Sequence, residues 1–273
     1  MDQVTGEIVT FYEQRYDEAA RLDRRPQCRL ERIRTLELLR ELLPAAPARV
    51  LDVGGGPGAY ARELLTDGYQ VRLVDLVPLH VKQAREGQPP IDAVVGDARE
   101  LPEADGSQDA TLLLGPLYHL QERGDRVRAL REAIRVTRPG GPIAAAVISR
   151  FAGPIDFVAS ARFDERMVAE SRRLLTDGVN DGSTGFTQAY FHRVAELTAE
   201  CREAGLVDVV IHGVEGRGGR RPRRRSTGRT PRRSSRRRCR WRGSTVPSPI
   251  SSRPAGICWR SAPRRSGEGE PQR

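Results

Sequence analysis

At 273 residues and a formal charge of +10, the chain is long enough for one α/β domain with elaborations, and no apolar run approaches the length of a membrane span. The charge is uneven: residues 217–273 hold 19 arginines against Glu268 and Glu270, a tail of +17, so the first 216 residues carry −7 and give no electrostatic reason for a nucleic-acid partner. Cys28, Cys201, Cys239 and Cys258 stand far apart with no C-x-x-C, so no metal site or disulfide framework is suggested, and with no signal peptide in view a soluble, cytoplasmic protein is expected.

In chain order, Ile8 to Leu43 reads as two helices. The first carries Phe11, Tyr12, Tyr16, Glu18, Arg21 and Leu22, and the second places Leu30, Ile33, Leu36, Leu39 and Leu43 on one face before Pro44. Residues 49–58, Arg-Val-Leu-Asp-Val-Gly-Gly-Gly-Pro-Gly, take a short apolar strand past Asp52 into a glycine-rich turn. Glycine permits positive φ and close approach of a ligand to the main chain, and the helix that follows offers unpaired N–H groups, so this is a nucleotide-cradling turn. Gly54, Gly56 and Ala59 also satisfy G-x-G-x-x-G/A, so the turn alone leaves nicotinamide, flavin and S-adenosylmethionine cofactors open.

After a helix over Tyr60 to Asp67, Gln70 to Leu76 reads as a buried strand ending at Asp75, where a carboxylate can accept both hydroxyls of an adenosine ribose. Ala93 to Gly96 runs into Asp97-Ala98-Arg99-Glu100-Leu101, and Asp109 to Leu114 runs into Gly115-Pro116-Leu117-Tyr118-His119-Leu120. A helix over Asp125 to Arg138 stops at Pro139-Gly140-Gly141, and Pro142 to Ser149 is a fifth strand. Phe151 to Ala189 then interrupts the alternation. Helical spacing of Ile155, Val158, Ala159, Val168, Leu174 and Leu175 gives way to a flexible polar run, Asp177 to Gly185. Tyr190 to Ala204 reads as an amphipathic helix using Phe191, Val194, Leu197 and Cys201, capped by Gly205, and Leu206 to Val214 as a sixth strand.

The five ordered motifs, D-x-G-x-G-x-G, strand-end Asp, G-D-A, L-L-G-P-L-Y-H-L and P-G-G, resemble the class I S-adenosylmethionine-dependent methyltransferases, especially small-molecule enzymes of actinobacterial type. The resemblance covers about residues 8–216. It implies an α/β, Rossmann-like, doubly wound and mostly parallel sheet, divided as a helical cap (1–45), a cofactor-binding core (46–150), a helical lid insertion (151–189) and the last helix and strand (190–216). Carried over by position, it implies Gly54 and Gly56 against the methionine part of S-adenosylmethionine, Asp75 on the ribose, and Asp97 with the Ala98 amide on the adenine. Leu76 and Leu114 would flank the cofactor. Asp52 would order the loop near the sulfonium or amino group, and Tyr12, Tyr16 and Arg21 of the closing cap would cover the sulfonium or bind the carboxylate. The insertion lies over the carboxyl ends of the strands, where open α/β sheets bind ligands, and is read as a substrate lid.

Methyl transfer from a sulfonium is an in-line displacement that alignment and desolvation can largely drive. For a hydroxyl or amine acceptor, Tyr118 or His119 stands where a general base is needed. No N-P-P-Y or D-P-P-Y element follows the fourth strand, which favours a small-molecule acceptor. Two other classes remain. An NAD(P)-dependent oxidoreductase would use Gly54 to Ala59 but leaves Asp97-Ala98 and Pro139-Gly140-Gly141 unexplained; an RNA-binding or RNA-modifying protein would use the arginine tail.

That tail, residues 217–273, is Arg, Ser, Pro and Gly with few apolar residues, a composition expected to stay disordered. The family has a seventh, antiparallel strand between the fifth and sixth. No alternating apolar run after Val214 offers it, so the sheet is expected to lack it and to leave Val207 to Val214 with unpaired edges. One permitted codon choice for Gly256 to Ala262, read one base earlier, gives His-Leu-Leu-Ala-Ile-Gly, so a shifted reading frame from about Arg217 would account for the tail.

Overall fold

The computed structural model describes residues 3–24, 26–159, 164–183, 186–214 and 255–261. Helices α1 (Gln3–Gln14) and α2 (Pro26–Leu42) precede β1 (Arg49–Val53), with a 3-10 turn over Arg21–Asp23 between them. Then come α3 (Ala59–Thr66), β2 (Gln70–Asp75), α4 (Pro78–Glu86), β3 (Asp92–Val95), β4 (Ala110–Leu113), α5 (Pro116–His119), α6 (Arg123–Val136) and β5 (Pro142–Ser149). They are followed by α7 (Ala152–Ala159), α8 (Glu165–Thr176), β6 (Val179–Asp181), β7 (Gln188–His192), α9 (Val194–Ala204), β8 (Leu206–Gly213) and β9 (Ala255–Ser261).

Strands β3, β2, β1, β4 and β5 lie side by side in that order, all parallel. The central strands β1 and β4 are covered on both faces and read as near-continuous apolar runs, whereas the outer β2 and β3 carry the part-exposed Arg72 and the exposed Val95. Leu51, Leu113, Leu130, Ile143, Leu197 and Cys201 pack one face under α6 and α9, whereas Leu39, Val50, Leu64, Leu73, Val81 and Leu112 pack the other under α2, α3 and α4. Burying each of these large side chains stabilises by roughly 1.5–3 kcal/mol. The order reverses between β1 and β4, and the carboxyl ends of those two strands open the crevice in which such folds hold ligands. Among the described residues, no helix is long and apolar enough to cross a membrane.

The expected gap in the sheet is not there. Strand β9 pairs antiparallel with β5 (Ile143↔Trp259, Ala145↔Ile257) and with β8 (Ile211↔Ile257), which is the place of the seventh strand, and so one edge of β8 is paired. A strand with neighbours on both sides is held by its backbone ladder, and alternation was the wrong pattern to look for. The rest of the expected disordered tail, residues 217–254 and 262–273, lies outside the described residues.

Three other expectations need correction. Tyr190 to His192 belong to β7, not to a helix; Phe191 fits a helical spacing only if Val194 is in the core, and Val194 is 59% exposed. The run from Asp177 holds β6, antiparallel to β7, with Gly178 and Gly182 at positive φ and Asp181 bridged to Arg173 at 2.7 Å; its residues 184–185 lie outside the described set. On α2, Leu36 and Leu39 are buried but Leu30 and Ile33 are exposed, because the first half of that helix packs on the Arg21–Asp23 turn and not on the sheet.

Candidate active site

The floor of the crevice is main chain. Gly54, Gly56 and Gly58 have φ of +68°, +58° and +90°, the left-handed region that side chains rarely adopt. Gly54 N donates to Val74 O at 2.7 Å and Gly56 N to Asp75 Oδ2 at 2.8 Å, so the turn is tied to the end of β2. A Cβ on Gly54 would stand 2.6 Å from Pro116 Cδ, whereas one on Gly56 would meet only Glu18 Cγ, at 3.4 Å, and would project into open space. That space is a cavity of ≈ 570 Å³ running from the glycine turn past Asp75, Leu76, Asp97 and Leu114 to Tyr118 and His119.

Acidic groups surround it. Asp52 is fully buried beneath the turn, neither carboxylate oxygen has a partner, and burial, with Asp75 adding to it, pushes its pKa up to about 7. Asp75 Oδ1 accepts from Val77 N at 2.9 Å and from His80 Nδ1 at 3.1 Å. Asp97 is held by the Arg99 backbone N (2.8 Å) and guanidinium (2.7 Å), and Arg99 also reaches Asp125 at 2.8 Å. From the cap, Arg21 bridges Glu18 (2.6 Å) and Glu31 (2.8 Å) over the cavity.

The far wall is side chain. His119 Nε2 shares a hydrogen bond of 3.0 Å with the Tyr12 hydroxyl of α1, and burial lowers the His119 pKa to about 4. Burial raises the pKa of both Tyr12 and Tyr118. Phe186, just before β7, stacks on His119 with ring centroids 6.0 Å apart and meets Phe11 edge-on at 6.2 Å. Arg126 of α6 fixes the end of this wall: 2% exposed, it donates to Leu120 O (2.9 Å) and Gln121 O (2.6 Å) and pairs with the buried Glu200 at 2.7 Å.

Residues 50–141 match the family model described as a methyltransferase domain. A methyltransferase of Mycobacterium tuberculosis is 40% identical over 100 residues, which are 37% of this chain and 40% of that protein's length. The ubiquinone biosynthesis O-methyltransferase of Xanthomonas axonopodis pv. citri is 32% identical over 176 residues, 63% of this chain and 67% of the relative. This chain belongs to the class I S-adenosylmethionine-dependent methyltransferases. The fold agrees: the Burkholderia thailandensis 1,6-didemethyltoxoflavin-N1-methyltransferase superposes with a TM-score of 0.57 at 17% identity, over 95% of this chain and 87% of that one.

In this methyltransferase-family chain the crevice gathers Gly54, Gly56, Asp75, Leu76, Asp97, Ala98, Leu114, Arg21, Tyr118 and His119 on one cavity, with Tyr12 over it. Asp52 lies under the loop, not on the cavity wall, and Tyr16 stacks on Phe11 at 5.5 Å. Sequence reasoning assigned no role to His80 or Glu31, and Glu18 stood out only as part of the first helix. His80 had a usable signal: Pro78 starts α4, and the first turn of that helix returns over the end of β2.

Proposed function

We propose that the chain moves the methyl group of S-adenosylmethionine to a small-molecule acceptor held against Tyr118 and His119. The observation that carries this reading is the cradle at Gly56, where a single added Cβ would stand in the cavity. The surrounding groups fit a cationic nucleoside cofactor: orphaned Asp52 and the acidic Glu18 favour positive charge nearby, and Asp75 sits at the β2 end that meets a ribose in such folds. When bound, S-adenosylmethionine supplies an activated methyl carbon. Gly54 and Gly56 would let its methionine part approach the backbone, Asp97 and the Ala98 amide would hold the adenine, and Arg21 would act from the closing cap, with Tyr16 behind it against Phe11.

At neutral pH the His119 ring is uncharged, because burial lowers its pKa to about 4, and its Nε2 is engaged with Tyr12. It is therefore a weak base, and the wall contributes chiefly by aligning the acceptor and excluding water. Residues 151–189 act as the substrate lid, a role supported by Phe186 against His119 and by the hydrogen bond from Gln188 to Glu7 of α1. The relatives named for ubiquinone biosynthesis and toxoflavin methylation support a small-molecule acceptor. The test is release of S-adenosylhomocysteine from S-adenosylmethionine with a panel of phenols, heteroaromatic amines and carboxylic acids. Acceptor-dependent release by the wild type, abolished in Gly56→Val, is expected; equal release in both would contradict the reading.

A further inference from the structure

The ribose-side carboxylate is short of lone pairs. A carboxylate has about four acceptor positions, two on each oxygen. Asp75 Oδ1 uses both of its own, on Val77 N at 2.9 Å and His80 Nδ1 at 3.1 Å, and Oδ2 uses one on Gly56 N at 2.8 Å. If S-adenosylmethionine occupies the cavity as proposed above, its ribose brings two hydroxyl donors to a group with one place left.

The second acceptor stands beside it. His80 is 4% exposed and lines the same cavity, and its Nε2 is buried with no hydrogen-bond partner. An unpaired buried polar atom is destabilising, so it is informative where it occurs. With Nδ1 donating to Asp75, a His80 ring that carries one proton has its lone pair on Nε2. The Tyr12 ring packs on His80 at 5.2 Å, but its hydroxyl is committed to His119 and does not satisfy that nitrogen.

We propose that His80 is a cofactor ligand, with Nε2 accepting one ribose hydroxyl while Asp75 Oδ2 accepts the other. Asp75 then has two tasks: it binds the sugar and it holds His80 in the accepting tautomer. An acceptor built this way needs a vicinal diol and selects ribose over deoxyribose cofactors.

The experiment is calorimetric binding of S-adenosylhomocysteine and of its 2′-deoxy and 3′-deoxy analogues to the full chain, for the wild type and His80→Phe. Both analogues should bind the wild type about tenfold more weakly, and His80→Phe should lose about tenfold for S-adenosylhomocysteine and no longer distinguish it from one of the two, the analogue lacking the hydroxyl that His80 accepts. Wild-type affinity in His80→Phe, or discrimination against both analogues that survives the substitution, overturns the role of His80 and leaves the cofactor reading standing. Absence of any S-adenosylhomocysteine binding by the wild type overturns both. Should His80→Phe not fold, the imidazole nitrogen NMR signals of the wild type decide: Nε2 of His80 should shift with S-adenosylhomocysteine and not with the analogue lacking the hydroxyl that His80 accepts, and an unmoved signal counts against the proposal.

Discussion

The two ends of the cavity are made of different material. The end at β1 and β2 is backbone: three glycines at positive φ, amides tied to Val74 O and to the Asp75 carboxylate, and little that a rotamer change could alter. The end at α5 is side chain: Tyr12, Tyr118, His119 and Phe186, drawn from the cap, the core and the insertion, and held by aromatic contacts and one hydrogen bond. A backbone cradle fixes what is constant, and an aromatic wall contributed by three segments can change without disturbing it. On this view the first end holds the cofactor and the second holds the acceptor.

Gly56→Val gives the largest separation of the two. A β-branched residue at φ +58° is strained and its side chain enters the cavity, so S-adenosylhomocysteine affinity should fall at least about a hundredfold in a variant that keeps wild-type circular dichroism. Retained affinity would remove the distinction between the two ends.

Arg126→Ala acts on the other end. It leaves Glu200 buried without its partner and frees the carbonyls of Leu120 and Gln121, and should cost about 3–5 kcal/mol in urea unfolding. Glu200→Gln should cost less, since an amide can still meet the guanidinium. Equal losses would argue that charge pairing is not what holds the wall.

His119→Phe sharpens the contrast in kinetics. With a pKa near 4 the ring is already unprotonated through the neutral range, so kcat should fall by less than about a hundredfold, the lower bound for a general base, and S-adenosylhomocysteine affinity should not change. Wild-type kcat should show no inflection from this group between pH 5 and 8. A loss above a thousandfold would make His119 a true base and not an aligning group.

Asp52→Asn probes the buried charge below the cradle, with the smallest effect. The folded-state pKa of Asp52 is raised to about 7 from 3.8, so the folded state binds a proton that the unfolded chain has released over that interval. Its contribution to stability is fully present below pH 3.8 and is lost as pH rises through about 7. The melting temperature of Asp52→Asn relative to wild type should therefore be higher at pH 8 than at pH 5, by a few degrees. An unchanged difference would mean that Asp52 is ionised throughout.

What could be read in the sequence follows the same division. The glycine turn, the strand-end Asp75 and the five apolar strands along the chain are local facts, because Gly chemistry and apolar runs do not depend on distant partners. The bond between Tyr12 and His119 joins residues 107 positions apart, and no spacing announces it. Phe186 follows directly on a run read as flexible and carried no signal of its own, and Phe191 was drawn into a false helix by an accident of spacing. Asp75 was visible as a strand-end acid. That two amides and a histidine had already taken most of its lone pairs depends on how α4 folds back on β2. Strand β9 was missed for another reason: Ala255 to Ser261 lacks alternation, and pairing on both edges does not require it.

The central claim is that the backbone end binds an S-adenosyl nucleoside and not a dinucleotide. Calorimetric titration of the full chain with S-adenosylhomocysteine and, separately, with NAD tests it most directly. Saturable one-to-one binding of S-adenosylhomocysteine with no heat from NAD is the predicted result; binding of NAD with no response to S-adenosylhomocysteine would contradict the account.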